Sequence, residues 1–189
     1  MQATLDFDRL RSRMQTISEG LNQSACQLLE SQGVRIITGS ARMKGPHEVV
    51  AESAGTIEEL QADAVLVSTG SRPRVPEWCT PDGERVLTTR QAYPPPELPT
   101  HLAVIGSGVT GVEFVHMFRS FGSEVTLVVS RQQVLPQKDA EVAAALEDDF
   151  LRRGVKLLKG ARATGIDVDG DQVTVECDDG RRVVASHAL

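Results

Sequence analysis

The first third of the chain has a helical pattern of apolar positions, followed by runs typical of strands. Apolar side chains recur at steps of three and four residues from Leu10 to Leu28, which predicts one face of an α-helix, and Gly33 predicts its carboxyl-terminal cap. Three runs rich in β-branched residues follow: "VRIITG", "HEVVAE" and "ADAVLVSTG". The pattern therefore predicts one long amphipathic helix and three strands.

The middle of the chain is rich in proline. Seven of the nine prolines lie between Ser71 and Thr100, including those of "YPPPELP". Proline lacks a backbone N–H, so this density argues against a regular helix or a central strand. We predict that residues 72–99 connect two domains.

After residue 100 the pattern alternates between strands and helices. "HLAVI" predicts a strand, a helix with an apolar stripe follows, Gly122 caps it, and "EVTLVV" predicts the next strand, which completes a βαβ unit. The stripe consists of Phe114, Met117, Phe118 and Phe121. A second helix from Asp139 to Arg153 and the strand "VKLL" repeat the pattern. The alternation predicts an α/β fold with a parallel sheet.

The second helix is expected to pack through Val142, Leu146 and Phe150. After it, "ATGIDVDGDQVTVECDDGRRVVA" alternates apolar and polar residues between the turn signals Asp169-Gly170 and Asp179-Gly180. This predicts an antiparallel meander, and "SHAL" predicts the start of one more strand.

Composition and charge narrow the class of protein. The 189 residues suffice for one sizeable domain or two small ones, and a net charge of -6 without a basic block argues against nucleic acid or an anionic membrane as a partner. Neither a membrane-spanning run nor signal-peptide features occur in the sequence, so we expect a soluble cytoplasmic protein. Three widely separated cysteines, Cys26, Cys79 and Cys177, have no metal-ligand spacing, and we expect no metal site.

A glycine-rich loop carries the strongest chemical signal. Gly106, Gly108 and Gly111 follow an apolar strand and open a helix inside a βαβ unit, which is the context of a Rossmann-like dinucleotide-binding loop. In order, these glycines permit a tight turn, close approach of a pyrophosphate, and close packing of helix on strand. The phosphates are expected to bind backbone N–H groups of the loop and the helix start. The predicted binding residues are Gly106, Ser107, Gly108, Val109, Thr110 and Gly111.

The end of the next strand predicts which nucleotide is preferred. NAD-specific sites usually place a carboxylate there, which binds the ribose hydroxyls and repels a 2′-phosphate. Here the strand is followed by Ser130 and Arg131, whose hydroxyl and guanidinium suit phosphate oxygens. We expect NADPH to be accepted at least as well as NADH. In the alternative interpretation Arg131 is a solvated turn residue and the site tolerates either ribose.

The chain resembles a known enzyme family over nearly its whole length. "VIGSGVTGVEF", "VTLVVSRQQVLP" and "VLVSTGSRPRVP" are similar to segments of the flavoprotein pyridine-nucleotide-disulfide oxidoreductases, which include dihydrolipoamide dehydrogenase and glutathione reductase. "PDGERVLTTRQAY" and "GSGVTGVEF" look closest to the actinobacterial branch of lipoamide-dehydrogenase-like NAD(P)H:quinone reductases.

The resemblance implies a division of the chain by cofactor. Residues 1–71 would be part of an FAD-binding domain, with Thr69, Gly70 and Ser71 near the flavin nucleotide and the backbone of Ala41 towards its adenine. Residues 100–189 would be a Rossmann-like NAD(P)-binding domain, in which Ala163 approaches the adenosine half of the nucleotide.

The resemblance also implies a reaction, in which hydride passes from NAD(P)H to flavin and then to a quinone or a disulfide such as lipoamide. Glu113 matches a family glutamate that helps to position the nicotinamide with a lysine beside the flavin. The alternative is a solvated carboxylate favoured by the helix dipole. None of the four histidines, His47, His101, His116 and His187, matches a catalytic position of the family.

Several family segments have no counterpart in this sequence, including the first FAD-binding glycine loop and the domain through which the family forms homodimers. We therefore expect an internal fragment of a longer enzyme, homodimeric through a domain absent here, whose isolated chain is inactive. A stand-alone nicotinamide-nucleotide-binding module, acting as a sensor or regulatory partner without catalysis, is the alternative.

Overall fold

The computed structural model describes residues 5–95 and 97–189, which form two compact units. Asp8–Arg72 make up one unit, and Pro73–Leu189 make up nearly all of the other. The helices are α1 (Phe7–Ser31), α2 (Val109–Phe121) and α3 (Ala140–Arg152). The strands are β1 (Ser40–Gly45), β2 (Glu48–Ser53), β3 (Thr56–Gln61), β4 (His101–Ile105), β5 (Glu124–Val129), β6 (Lys156–Lys159), β7 (Ala163–Asp169), β8 (Gln172–Cys177), β9 (Arg182–Ala185) and β10 (His187–Ala188).

The unit Asp8–Arg72 contains nearly all of the long helix α1 and an antiparallel sheet in the order β1-β2-β3. The predicted helix is confirmed, but none of the described side chains of α1 is buried. Among the described residues of this unit, Val50 and Ala51 are the buried apolar side chains. The unit therefore has a very small core of its own.

Two of the three strands predicted in this unit are wrong. "HEVVAE" forms β2, but "VRIITG" and "ADAVLVSTG" are not strands, because neither run has a ladder partner among the described residues. β2 pairs instead with the more polar segments on either side of it. Ala54 and Gly55 both have positive φ, 48° and 80°, so that they form the tight turn that joins β2 to β3.

The unit Pro73–Leu189 is built on the predicted parallel sheet, with strand order β10-β4-β5-β6. Alternate residues of the central strands point to opposite faces. On one face, Leu102, Val104 and Leu127 pack in a core with α2 and α3. On the other, Ala103 and Val128 pack against the meander. The confirmed α/β architecture thus has helices on one side of the sheet and β7-β8-β9 on the other.

α3 begins where predicted, because the Asp139 carboxylate accepts hydrogen bonds from the backbone N–H groups of Glu141 and Val142. The prediction of its buried face was wrong at one position, because Ala143 and not Val142 faces the core. Val142 is 58% exposed, whereas Ala143 and Phe150 are fully buried. Spacing by three and four residues fits either face, and the small Ala143 allows the closer approach to the sheet.

The antiparallel meander β7-β8-β9 is confirmed, with Gly170 and Gly180 at positive φ in its two turns. Its inward residues Val173 and Val175 are fully buried. "SHAL" supplies β10, which pairs in parallel with β4.

Among the described residues of 72–99 there is no helix and no strand, as the prolines predict, but from Pro73 onward the segment folds with the parallel sheet. Val86, Leu87 and Ala92 are buried in its two cores. Val86 also forms a parallel bridge with Ala188. The proline-rich segment is therefore part of the walls of this unit.

Among the helices of the described residues, none is long and apolar enough to cross a membrane.

Candidate functional site

The sheet topology indicates where this unit would bind a ligand. From β4 the chain winds outward through β5 to β6, and it then returns to the other side of β4 as β10. In open α/β sheets, ligands bind outside the carboxyl ends of the strands at such a reversal of strand order. β4 ends at Ile105, so the glycine-rich loop that follows it lies at this edge.

The loop turns sharply and presents unpaired donors. Gly106 has φ of 110°, in the region that favours glycine, and its N–H donates to the carbonyl oxygen of Val128 at 3.1 Å. Gly108 is the N-cap of α2, and no side chain caps this end. The first N–H groups of a helix have no partner within it, so those at the start of α2 are available to an anion.

Two of the glycines differ in what surrounds them. A Cβ atom on Gly111 would overlap the carbonyl oxygen of Gly106, so only glycine lets the helix approach the strand this closely. A Cβ atom on Gly108 would meet nothing within 4 Å. The protein itself does not require glycine at 108, whereas a phosphate against the backbone there would.

The loop is also fixed from the side of β5. Ser107 is 6% exposed, and its carbonyl oxygen accepts from the Leu135 N–H at 2.7 Å. Leu135, at φ of 48°, belongs to the segment that follows β5. This contact joins the glycine-rich loop to the loop that carries Ser130 and Arg131.

Two clefts adjoin the glycine-rich loop, both within the unit Pro73–Leu189. Cleft 1 has a volume of about 400 Å³ and lies between the loop and the segment 73–89. Its walls are mainly apolar, and its polar side chains include those of Arg74, Thr88, Thr89 and Thr110. The apolar lining includes Trp78, Val104, Ile105, Phe114 and Leu189. Its size and lining are typical of a small-molecule site.

Cleft 2 has a volume of about 350 Å³ and lies on the β5 side of the loop. It is lined by Val128, Ser130, Ala161, Arg162 and Ala163, and it shares Arg74, Pro76, Trp78, Ile105 and Gly106 with cleft 1. Arg74 and Arg162 are the charged side chains among the described residues that line cleft 2, and none of these residues carries a carboxylate, so the charge of the cleft is positive.

The structure brings together most of the predicted dinucleotide residues. Gly106, Gly108, Val109, Thr110 and Gly111 line cleft 1, while Gly106, Ser130 and Ala163 line cleft 2. Ser107, within the loop, is buried. Glu113 and Arg131 are exposed and line neither cleft.

The predicted flavin residues lie in the other unit. Ala41 is exposed on β1 opposite Ala51, and Thr69, Gly70 and Ser71 are exposed outside any helix or strand. A cleft in this unit is lined by residues of 35–38 and of β2 and β3, and none of these four residues lines it. The predicted flavin residues are therefore not brought together around this cleft.

Sequence reasoning missed several residues of the clefts, above all Arg74, Arg162 and Thr88. Arg162 directly precedes Ala163, which was predicted to approach the adenosine half of the nucleotide. A positive charge next to that position could have identified Arg162 as a binding residue. Arg74 stands in "SRPRVP", inside the segment predicted to be a connector. Nothing local in the sequence indicates that this segment forms a wall of the site.

Cys79 also lines cleft 1, but its environment does not favour nucleophilic chemistry. Burial, and then the nearby Asp82 carboxylate, raise the pKa of the Cys79 thiol above its ordinary value. The thiol therefore stays protonated near neutral pH. Among the described residues, no group of three His, Cys, Asp or Glu side chains is placed to hold a metal ion.

The sequence and fold are similar to those of known enzymes. The chain is 41% identical over 194 residues to NAD(P)H dehydrogenase (quinone) of Mycobacterium tuberculosis, and the alignment covers 99% of this chain and 39% of that protein. It is 32% identical over 172 residues to dihydrolipoyl dehydrogenase of Zymomonas mobilis, covering 90% of this chain and 37% of that protein. The chain thus spans less than half the length of these relatives.

Solved structures agree with this relationship. The crystal structure of LpdA from Mycobacterium tuberculosis matches with a TM-score of 0.89 at 41% identity, over 99% of this chain and 42% of that one. The HOCl-induced flavoprotein disulfide reductase RclA from Escherichia coli matches with a TM-score of 0.85 at 26% identity, over 98% of this chain and 42% of that one.

The model of the pyridine nucleotide-disulphide oxidoreductase family matches residues 2–189. This match and the relatives confirm the resemblance predicted from the glycine-rich loop and "STGSRP". The chain belongs to the pyridine nucleotide-disulphide oxidoreductase family.

Proposed function

We propose that this chain supplies the NAD(P)H-binding part of an FAD-dependent oxidoreductase, which passes hydride from the nicotinamide to flavin and on to a quinone or a disulfide such as lipoamide. The observation that carries the proposal is the pair of joined clefts at the strand-order reversal, with the uncapped start of α2 between them. Such a start binds phosphate, and the clefts on either side have room for the two halves of a dinucleotide.

Each part of the dinucleotide has a suitable environment. The N–H groups at the start of α2 would hold the pyrophosphate against Gly108. The apolar walls of cleft 1 suit the nicotinamide ring. Cleft 2, with Ser130 and Ala163, suits the adenosine half. On this basis Ser130 is the proposed determinant of NADPH acceptance among the two residues predicted after β5, because Arg131 lines neither cleft.

The flavin supplies the hydride acceptor when it is bound. Ala41, Thr69, Gly70 and Ser71 lie apart from the cleft formed by residues 35–38, β2 and β3. These four residues are therefore proposed flavin contacts of a longer protein. Glu113 is exposed on α2, one residue before Phe114 of cleft 1, and we propose that it positions the nicotinamide together with a group outside this chain.

The electron acceptor is proposed from the relatives. Identity is higher to the NAD(P)H dehydrogenase (quinone) than to the dihydrolipoyl dehydrogenase, 41% against 32%. This difference favours a quinone. A homodimeric full-length protein in the cytoplasm is part of the same proposal.

A nucleotide titration tests the proposal. Trp78, the single tryptophan, lines both clefts, so its fluorescence should change when NADH or NADPH binds to the flavin-free chain. We expect saturable binding of at least one nucleotide and no turnover with a quinone. Failure of both nucleotides to bind at millimolar concentration would exclude the proposed site. Turnover without added flavin would exclude the proposed division of labour.

A further inference from the structure

We propose that Arg162 determines specificity in cleft 2, by binding a phosphate group on the adenosine ribose of the nucleotide. The inference rests on the proposed function and assigns recognition of this phosphate to a residue 31 positions after Arg131, outside the loop that follows β5. Its ligand class is a nucleotide with a 2′-phosphate, such as NADPH.

Backbone hydrogen bonds bring Arg162 beside Ser130. The Ala161 N–H donates to the carbonyl oxygen of Val129 at 3.2 Å, and the Gly160 N–H donates to that of Arg131 at 3.1 Å. The segment after β6 therefore runs along the end of β5. Ser130 and Arg162 both line cleft 2 as a result, although the sequence separates them widely.

The backbone of Arg162 is held firmly in this position. Its N–H donates to the Asp178 carboxylate at 3.0 Å, and its carbonyl oxygen accepts from the Asp178 N–H at 2.9 Å. These two hydrogen bonds tie the residue to the end of β8. A guanidinium on a fixed backbone loses less freedom when it binds an anion.

The charge of Arg162 is not used within the protein. Among the described residues, its guanidinium has no ion-pair partner or hydrogen-bond acceptor. The neighbouring carboxylates are otherwise engaged, since Asp178 accepts from the Arg162 backbone and Asp179 pairs with Arg181. With no carboxylate lining cleft 2, the free guanidinium favours a ligand that carries extra negative charge there.

Arg131 is less suited to this role. Both arginines are exposed, but Arg131 lines neither cleft, whereas Arg162 lines cleft 2. Ser130 remains within the cleft and can share a phosphate with Arg162. Specificity would then depend on residues from two separate loops.

Two small probes isolate this contact from the nicotinamide and the flavin. Adenosine 2′,5′-bisphosphate and adenosine 5′-monophosphate are titrated into the chain by calorimetry, since they differ only in the 2′-phosphate. We expect the unmodified chain to bind the bisphosphate more tightly. Arg162→Gln should weaken binding of the bisphosphate by about 10-fold to 150-fold, which is the range for the loss of a charge-assisted contact. It should change the affinity for the monophosphate by less than about threefold. Arg162→Lys should recover part of the loss, because it keeps the charge but not the planar fork.

The controls separate the possible failures. Arg152→Gln removes an exposed arginine of α3 that lines neither cleft, and it should leave both affinities unchanged. Equal weakening of both probes by Arg162→Gln, or selective weakening by Arg131→Gln instead, would overturn the inference while the nucleotide site stands. If NADH and NADPH also fail to bind, the proposed function and the inference fall together.

Discussion

The carbonyl oxygen of Gly106 occupies the place where a Cβ atom on Gly111 would lie. The end of β4 and the first turn of α2 are thus in direct backbone contact, and the side chain of Val104 lies 3.7 Å from the same position. Gly108, between them, faces open space. One loop therefore contains a glycine that the fold needs and a glycine that, by our proposal, the ligand needs.

Substituting the two glycines with alanine should separate stability from binding. Gly111→Ala should lower the free energy of unfolding by about 1–3 kcal/mol, because the overlap with Gly106 forces strand and helix apart. Gly108→Ala should change it by less than about 0.5 kcal/mol but weaken NADH and NADPH together. Urea unfolding followed by Trp78 fluorescence and nucleotide titration of the same variants measure both effects.

The reverse pattern would contradict this assignment. If Gly108→Ala unfolds at a lower urea concentration than Gly111→Ala, then Gly108, and not Gly111, is the glycine that helix-strand packing requires. If Gly108→Ala binds nucleotide as tightly as the unmodified chain, no phosphate approaches that backbone.

A carboxylate at position 130 should change the nucleotide preference. Ser130 lines cleft 2, so an aspartate there would accept from ribose hydroxyls and repel a 2′-phosphate. We expect Ser130→Asp to weaken binding of NADPH by about tenfold or more, while the affinity for NADH stays the same or increases. Competition titrations measure the ratio of the two affinities. Ser120→Asp, on α2 and outside both clefts, provides a control of equal charge. A similar change of preference in both variants would show that the added net negative charge, and not a contact at position 130, causes it.

Local sequence patterns predicted the parts of this fold that local geometry determines. The glycine-rich loop, the αL cap at Gly122 and the turn at Gly170 each depend on residues within a few positions, and all three are present. The strands expected at "VRIITG" and "ADAVLVSTG" depend on a pairing partner, which composition does not reveal. β-branched residues favour a strand but do not supply its neighbour.

The site was harder to predict than the fold. Arg162 lies in cleft 2 only because the segment after β6 pairs with the end of β5, and Arg74 lies there only because the proline-rich segment folds onto the sheet. Both placements join residues far apart in sequence. Arg131, which sequence proximity favoured, lines neither cleft.

Acidification should destabilise the chain through His187. His187 is 1% exposed, and its Nε2 lies 3.3 Å from Glu97 Oε1 and 3.4 Å from a guanidinium nitrogen of Arg85. Burial, and then the Arg85 charge, lower the pKa of His187, although Glu97 and Asp82 oppose the shift. Between the ordinary pKa of about 6.5 and the lowered folded value, the unfolded chain binds a proton that the folded chain does not. Stability should therefore fall with decreasing pH in this window and be insensitive to His187 above it.

Urea midpoints at pH of about 7.5 and about 5.5 test this expectation. Burial also lowers the pKa of His101, so part of the acid effect remains without His187. His187→Gln should show a smaller fall in midpoint between the two pH values than the unmodified chain. An identical fall in both proteins would show that His187 titrates normally in the folded state.

Hydrogen exchange should distinguish the two helices α1 and α2. None of the described side chains of α1 is buried, whereas α2 buries Val112, Val115 and Phe118. A helix without buried contacts opens at little cost, so we expect the amides of α1 to exchange at least roughly tenfold faster than those of α2. Mass spectrometry of peptides from each helix makes the comparison. Equal protection would mean that α1 is covered in solution.

The bridge between Val86 and Ala188 covers the outer edge of β10. β10 is the outer strand of the parallel sheet, but the Leu87 N–H donates to the Ala188 carbonyl oxygen at 2.8 Å, and the Ala188 N–H donates to that of Arg85 at 2.8 Å. An outer strand with free donors and acceptors is a template on which other molecules can add strands and aggregate. A shortened chain that began at Thr100 would uncover this template, whereas one that began at Pro73 would keep it sealed.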